Sequence, residues 1–413
     1  MISRPEDRPD DLSDLLPRFD LRGMDLSLER MEAALEQLAR PARSIPAVQV
    51  VGTNGKGSIA CLIHNGLMAS GFRSGLTTSP HLVSWCERIR VNDQLIDSKD
   101  LRRNLEHLQP IVQDCRLTPF EQLICAALVH FEAQRPDWMV LEAGLGGRLD
   151  ATTAHSWRPL IAVASIGLDH REHLGSTLEA IAAEKAAAIS PGAHVVSAAQ
   201  TREVSAVLEQ RVKDVGASLE WVESLDDSWS MGLPGGWQKR NGAVAEAVLR
   251  RIGSGQRGIS NRTIRAGFAA ARWPGRLQWM RWRGLRVRVD GAHNPPAAMA
   301  LDAERRSWGS ESTPQIWILA IQAHKQAPEM LQQLVKVNDQ AWIVPVPGHR
   351  SWGGEDLRRA LPQHTHQIHT ADHTSDALHQ VLCQGWPAAS APVIAGSLYL
   401  IGSLLETGLV QAE

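Results

Sequence analysis

The chain has 413 residues, enough for two or three domains that each bury a core of their own. Its 43 Lys+Arg against 45 Asp+Glu leave a formal charge of −2, which excludes a global field drawing it to nucleic acid or an anionic membrane; any anion site must be local. Hydrophobic residues at 43% with charged residues at 21% exclude a disordered chain.

Five cysteines (Cys61, Cys86, Cys115, Cys125, Cys383) never form a CxxC pair, so the usual zinc and dithiol signatures are missing, and they read as thiols in a reducing cytosol. The N-terminal MISRPEDRPDDLSD carries charge where a secretory signal needs an apolar core. The longest apolar run, residues 123–131, is interrupted by His130 and too short to span a bilayer. These features predict a soluble, cytoplasmic protein. The 14 Trp against 5 Phe and 1 Tyr carry no functional reading.

Leu28, Met31, Leu35 and Leu38 recur at helical intervals and predict a helix over residues 27–40, with Pro41 as its stop. Residues 47–51 then read as a strand running into Gly52-Thr53-Asn54-Gly55-Lys56-Gly57-Ser58, just before an apolar helix over 59–68. Glycines let backbone N–H groups curl around phosphate oxygens, the helix N-terminus adds positive potential, Lys56 can reach outer phosphates and a hydroxyl can ligate Mg²⁺. The segment therefore predicts a nucleoside triphosphate cradle. It departs from GxxxxGK[ST], since Val50 stands at the first glycine and Gly57 separates the lysine from Ser58.

A triphosphate brings magnesium, which needs oxygen ligands at the C-terminal edge of the same sheet. Three strand ends could supply them. A strand-like segment over 73–78 leads to Ser79-Pro80-His81-Leu82, which offers a hydroxyl. The strand 138–141 ends in Glu142 and runs into the glycine-rich loop 143–148, which closes with Arg148. The strand 160–166 delivers His170, which reads either as a structural histidine or as a ligand. Ser176 and Glu179 predict a capping box opening a helix that Pro191-Gly192 stop. Lys185 lies inside it, and reads as a solvated lysine, a phosphate partner, or a lysine modified to an anion.

Strands over 285–289, 316–321, 341–344 and 392–395 alternate with helices and predict a second doubly wound sheet. Between the two sheets, loops at 232–236 and 253–258 punctuate the chain, and the boundary falls near residues 277–284. The predicted fold class is α/β: a P-loop-containing doubly wound N-terminal domain over 1–280, and a smaller Rossmann-like α/β C-terminal domain over 281–413. Arg276 sits at the hinge. Asp290, His293 and Asn294 stand at a strand-to-helix corner, as caps or as ligand-facing groups. His364, His366, His369 and His373 cluster, but their spacing fits no tetrahedral metal site.

Taken together, GTNGKGS (52–58), TSPHL (78–82), LEAGLGGRLDAT (141–152), SIGLDH (165–170), Glu184-Lys185, WPGRLQ (273–278), DGAHNP (290–295) and GSLYLIG (396–402) resemble the folylpolyglutamate synthase/dihydrofolate synthase family of the muramyl-ligase superfamily. The resemblance implies an ATP-dependent amide ligase that joins L-glutamate to a pterin carboxylate, of dihydropteroate or of a reduced folate. It implies a monomer without nucleic-acid or membrane partners.

Position by position, the resemblance implies that Thr53, Asn54, Gly55, Lys56, Gly57 and Ser58 hold ATP. It adds Gln238 and Asn241 as nucleotide neighbours, and Arg276 and Asp290 as further ATP contacts. Ser79, Glu142 and His170 would ligate two Mg²⁺ ions, Lys185 would carry a carbamate acting as a metal ligand, and His293 would bind glutamate. Lys56, Glu142, His170 and Lys185 form the catalytic set. The chain departs from the family pattern at 320–326, where AIQAHKQ replaces a glycine with an Asp-Lys-Asp run and keeps Lys325 alone. It departs again at Thr153 and Trp237, where asparagine and histidine are common.

Overall fold

A computed structural model describes residues 12–16, 25–255, 258–309, 313–383 and 391–413. Residues 1–11, and 256–257 within the expected loop 253–258, lie outside them. The chain divides into two compact units: residues 1–233 with 238–272, and 234–237 with 273–413. The division therefore falls at 272/273 rather than at 280/281. WPGRL belongs to the second unit, because Gly275 and Leu277 are hydrogen-bonded to the 290–292 corner of that unit.

In the first unit the strands are β1 (Ala47–Val51), β2 (Ser74–Thr77), β3 (Ile89–Val91), β4 (Gln94–Leu95), β5 (Trp138–Glu142), β6 (Leu160–Val163), β7 (His194–Ala198) and β8 (Ser218–Val222). They form one sheet in the order β4-β3-β2-β5-β1-β6-β7-β8. From β2 to β8 every pairing is parallel, and β3 and β4 add an antiparallel edge. The helices are α1 (Leu28–Gln37), α2 (Lys56–Ala69), α3 (Ser98–Cys115), α4 (Pro119–Gln134), α5 (Arg171–Leu174), α6 (Leu178–Ala186), α7 (Arg202–Asp214), α8 (Gln238–Gly253) and α9 (Asn261–Ala270).

Central strands flanked by helices are buried on both faces and so read as largely apolar runs; β1 is AVQVV, buried throughout, with Gln49 its one polar side chain. One core gathers α1, α3 and α4 with Ala47, Met139 and Leu141. Another gathers α6 and α7 with Val51, Ile161 and Val163. Leu101, Leu105 and Leu108 of α3 show why: spaced at helical intervals, all three are fully buried.

Helix α2 is apolar nearly all round, because α8 and α9 cover it as well as the sheet. The approach of α9 needs glycine at 267, and that of α8 brings Leu249 against Gly66, where a Cβ would collide with Leu249 Cδ1. A Cβ on Gly267 would lie 2.6 Å from Asn65 O and 2.8 Å from Gly66 Cα. The helix that carries the cradle is thus fixed by packing along its length.

The second unit holds β9 (Gln278–Trp282), β10 (Leu285–Val289), β11 (Ile316–Leu319), β12 (Gln340–Ile343), β13 (Ile368–Thr370), β14 (Val393–Ala395) and β15 (Gln411–Ala412), in the order β13-β12-β11-β14-β10-β9-β15. Strands β13 to β10 are parallel, whereas β9 and β15 run antiparallel. Its helices are α10 (Pro295–Arg305), α11 (Ala327–Leu334), α12 (Gly354–Ala360), α13 (Thr374–Cys383) and α14 (Leu398–Glu406). The basic, Trp-rich stretch after WPGRL is β9, hairpinned to β10 through Arg283 (φ 46°) and Gly284 (φ 85°). Part of the tryptophan excess goes to packing here. Trp282 and Trp317 are fully buried, and the Arg288 guanidinium lies 4.2 Å from the Trp279 ring centre and 4.3 Å from that of Trp308. No helix among the described residues is long and apolar enough to cross a membrane.

Candidate active site

Register places the expected residues of the first unit on one edge. Val50 pairs with Glu142 and Val51 with Val163, while Thr77 pairs with Leu141. The loops leaving β1, β2, β5 and β6 therefore emerge side by side at the carboxyl ends of parallel strands, where open α/β sheets bind ligands. Ala143 donates its N–H to Val50 O (3.0 Å), and Ala164 to Val51 O (2.8 Å), which locks the roots of two of these loops.

The 52–58 loop is tied to the 165–167 segment. Thr53 and Asn54 donate backbone N–H groups to Ser165 O (2.8 and 3.2 Å), and Thr53 Oγ1 donates to Gly167 O (3.0 Å). Gly55 caps α2 with φ 97°, in the left-handed region that glycine favours. A Cβ there would meet Asn241 Oδ1 at 2.6 Å. Lys56, Gly57 and Ser58 thus sit in the first turn of α2, where N–H groups lack helical acceptors and can face phosphate. The Lys56 ammonium donates to Thr53 O (3.2 Å).

Gln238 and Asn241, in the first turn of α8, back this loop rather than project from it. Gln238, fully buried, donates to Ser58 Oγ (3.3 Å), and Asn241 donates to Gln238 Oε1 (2.9 Å).

Glu142 ends β5 as a carboxylate 5% exposed and accepts the backbone N–H of Ser79 (3.0 Å). Asp169 is buried, and its carboxylate accepts the N–H of His170 (2.9 Å), which holds φ 49°. Lys185 is buried, not solvated. Its ammonium donates to Gly52 O (2.9 Å), and burial, with Lys56 nearby, pushes it down to about 7. Ile181, Ala182, Lys185 and Ala186 share the buried face of α6. That helix is capped by Thr177, whose hydroxyl accepts the Ala180 N–H, and not by Ser176. The expected box gives way by one residue because two adjacent hydroxyls compete for the cap.

Several positioning residues carry no role legible in the sequence; Asp150 lies within the 141–152 motif, while Gln49 and Arg158 lie outside every motif. The buried Asp150 carboxylate accepts the N–H groups of Leu145 (2.9 Å) and Thr152 (3.0 Å), folding the glycine loop back on itself. Gln49, the polar residue inside β1, donates to Thr152 Oγ1 (2.9 Å) and Thr153 Oγ1 (2.7 Å), and Thr153 donates to Gly147 O (2.7 Å). Arg158 donates to Gln49 Oε1, to Ala188 O (2.6 Å) and to His155 O (2.8 Å). One guanidinium thereby ties the β1 root, the glycine loop and the end of the Lys185 segment together. The signal was a glutamine in an otherwise apolar strand.

No cluster of three or more His, Cys, Asp or Glu side chains poised to hold a metal occurs among the described residues. The donor chemistry nonetheless fits magnesium. That ion keeps several waters and is held by one or two carboxylates together with substrate phosphates, and Glu142, with the Ser58 and Ser79 hydroxyls, lies on the edge where a triphosphate would end. The unmodified Lys185 ammonium, a donor to Gly52 O, holds no metal.

In the second unit, Arg276, Asp290 and His293 come together at the carboxyl end of β10. Asp290 accepts the N–H groups of Leu277 and Ala292 (2.8 Å each), and burial raises its carboxyl above the usual range. The Arg276 side chain lies against Gly291, where a Cβ would collide with it. His293 Nδ1 is 2.7 Å from Gly291 O, and Asn294 caps α10 through the Ala297 N–H. In the 320–326 segment Lys325 is buried, and Trp352 Nε1 donates to its carbonyl (2.9 Å).

A glycine- and lysine-bearing loop between a strand and a helix of a doubly wound sheet, with a carboxylate on the neighbouring strand and a second α/β unit following, is the layout of a nucleotide-dependent α/β enzyme. Residues 277–407 match the family model "Dihydrofolate synthetase, C-terminal domain". The dihydrofolate synthetase of Saccharomyces cerevisiae is 30% identical over 93% of this chain and 98% of its own. The Escherichia coli FolC structure with DHPP and ADP superimposes with a TM-score of 0.83 at 27% identity, over 98% of each chain. A bifunctional folylpolyglutamate synthase/dihydrofolate synthase with Mn, AMPPNP and L-glutamate gives 0.81 at 26% identity, over 94% of this chain and 96% of its own. The chain belongs to the dihydrofolate synthase/folylpolyglutamate synthase family, whose members are ATP-dependent ligases.

Proposed function

We propose that this chain joins L-glutamate to a pterin carboxylate at the expense of ATP, on dihydropteroate, on a reduced folate, or on both. The observation that carries this reading is the single sheet edge on which Lys56, Glu142 and Lys185 meet the 52–58 loop. We place the reaction in the cytoplasm, which suits five free cysteines, and read the chain as acting as a monomer.

The chemistry follows from those residues. A carboxylate is a poor electrophile. Its oxygen attacks the γ-phosphorus of ATP, the bond to ADP breaks, and an acyl phosphate results. The N–H groups of the α2 first turn and the Lys56 ammonium hold the phosphate oxygens as charge spreads over them. The glutamate amine then attacks the acyl carbon, phosphate leaves with the bonding pair, and the nitrogen loses a proton to give the amide. Glu142 with Ser79 and His170 would hold magnesium, which when bound neutralises phosphate charge.

In the second unit, Arg276 and Asp290 would meet the nucleotide, and His293 the incoming glutamate. Gln238 and Asn241 brace the loop from behind. Lys185, held near neutrality by burial, has the nucleophilic amine that CO₂ needs to form a carbamate, and as a carbamate it becomes an anionic ligand.

Lys56→Ala and Glu142→Ala are expected to lose glutamate-dependent ADP release at least a hundredfold, in line with removal of one electrostatic catalyst, while circular dichroism stays native. A folded variant with near-normal turnover overturns the assignment. The carbamate is read by ¹³C NMR with labelled bicarbonate: a carbamate carbon that disappears in Lys185→Ala supports it, and spectra without that signal refute it.

A further inference from the structure

Outside the machinery described above, positive charge gathers on the hairpin of β9 and β10. In register, Trp279 faces Arg288 and Arg281 faces Arg286. Cross-strand partners share a face, so these four side chains stand together on the outer side, half-buried or exposed, while Met280, Trp282, Val287 and Val289 turn into the core. Trp308, which follows α10, joins them. The result is a ladder of rings and cations. The Arg288 guanidinium lies over both Trp308 and Trp279 (4.3 and 4.2 Å to the ring centres), Arg286 lies over Trp279 (4.1 Å), and Arg281 adds a third cation.

One carboxylate already lies in this ladder. Glu413, just after β15, accepts from Arg286 Nε and Nη2 (2.7 and 2.6 Å) and pairs with Arg281 (2.8 Å). Arg288 has no such acid: its guanidinium makes no hydrogen bond or ion pair among the described residues. Glu304, whose charge it feels, is instead taken by the Gly236 N–H (2.6 Å) and Ser307 Oγ (3.1 Å). Cations withdrawn from water are normally paired, so a half-buried one without an acid needs an explanation. Burial, with Arg286 beside it, draws the Arg288 guanidinium down to about 10, and it stays charged at neutral pH. Two rings restrict its orientation, and none of its nitrogens is enclosed. An arginine held in this way with its donor fork open is preorganised for a carboxylate, which takes two parallel N–H bonds. Glu413 completes the same chemistry one rung further on.

Arg286 and Arg288 alternate along the strand that ends at Asp290, so the ladder starts about 7 Å from that corner and its rungs repeat at about 7 Å. A γ-linked glutamyl chain advances by five backbone bonds per residue against three in an ordinary peptide, so its carboxylates recur at roughly 6 Å when extended. We propose that the Trp–Arg ladder on β9 and β10 is a docking track for a γ-linked oligoglutamyl chain, with one carboxylate on Arg288 and the next on Arg286 and Arg281 in exchange for Glu413. The occupant's identity rests on the ligase reading above, under which a reduced folate carrying such a tail is substrate and product; the anion track itself rests on the hairpin alone.

The test adds tri-γ-glutamate, which carries no pterin, to the full chain labelled with ¹⁵N at the tryptophan indoles. The Trp279 and Trp308 signals are assigned by their loss in Trp279→Phe and Trp308→Phe. The ladder predicts saturable shifts of both. Calorimetry at low salt should give a Kd weaker by about tenfold or more in Arg288→Gln, as for one lost charge-assisted pair, and a tighter one in Glu413→Gln, whose side chain no longer competes. A gain of affinity in Glu413→Gln has no explanation in misfolding, and circular dichroism checks the fold of Arg288→Gln. The proposal falls if tri-γ-glutamate leaves both signals in place, if its Kd is the same in all three proteins, or if an oligothymidylate of equal charge binds as tightly. Because binding needs no turnover, a chain that binds the probe but ligates no folate would sink the ligase reading alone, and one that ligates without binding it would sink the ladder alone.

Discussion

Arg158 shows how much one side chain outside every motif can organise. Its guanidinium is buried beside His155 O, Gln49 Oε1 and Ala188 O, and burial draws it down to about 10. Replacing a buried cation by an apolar group can be neutral when its partners go with it. Here the acceptors would stay behind, and an unmade buried hydrogen bond costs about 1–3 kcal/mol. Arg158→Met is therefore expected to lower unfolding stability by about 2 kcal/mol in urea and to reduce kcat, since Gln49 also holds the threonines beneath the glycine loop. Arg158→Lys should recover part of both. An unchanged urea midpoint in Arg158→Met would show that the knot does no such positioning.

At the scale of elements, the turn from β1 into α2 depends on Gly55. Any other residue would have to hold φ 97° and put its Cβ against Asn241 Oδ1. A left-handed conformation costs an L-residue roughly 1–2 kcal/mol. Gly55→Ala should therefore weaken ATP binding about tenfold by calorimetry, with the fold kept; equal affinity would mean that the loop tolerates a different path.

This element was legible because glycines and a lysine between a strand and an apolar helix have few other uses. The carboxylate ending β5 and the buried strands β6, β7, β11, β12 and β14 were legible for the same kind of reason, as largely apolar runs of strand length, and β10 as an alternation of apolar residues with Arg286 and Arg288. Strands β3, β4, β8 and β15 were not: they are two to five residues long, β4 and β15 are exposed edges, and β8 (SLEWV) is a partly exposed edge without a clear period or apolar run. The burial of Lys185 was within reach of the helical spacing, since Ile181 and Lys185 lie four apart on one face. Its charge argued the other way, and charge alone does not reveal that Gly52 O waits for it.

For the whole molecule, stability and chemistry depend on pH through different groups. Four histidines of the first unit are pushed towards the neutral form by burial: His64 to about 4, His81 to about 3 and His155 to about 4, against an ordinary value of 6.5, and His130 in the same direction. Below pH 6.5 the unfolded chain takes up protons at these sites while the folded chain does not, so stability falls as pH drops from 6.5 towards 4. The slope is at most about 1.4 kcal/mol per pH unit for each histidine. His64 sits between Ser74 Oγ (2.8 Å) and Asn92 O (3.0 Å), so His64→Gln keeps polar partners within reach and removes one titration. Urea midpoints between pH 7 and 5 should fall less steeply in that variant; an identical slope would mean that His64 protonates in the folded state.

The central claim is that this edge of the first unit, with its second α/β unit, ligates glutamate to a pterin carboxylate. It is tested most directly by measuring glutamate-dependent ADP release with magnesium and ATP, offering 7,8-dihydropteroate in one reaction and tetrahydrofolate in another, and identifying products by mass. The account predicts ADP formed in step with a product heavier by one glutamate residue from at least one of the two, and turnover of both would mark a bifunctional enzyme. A folded, ATP-binding protein that ligates neither carboxylate would contradict it.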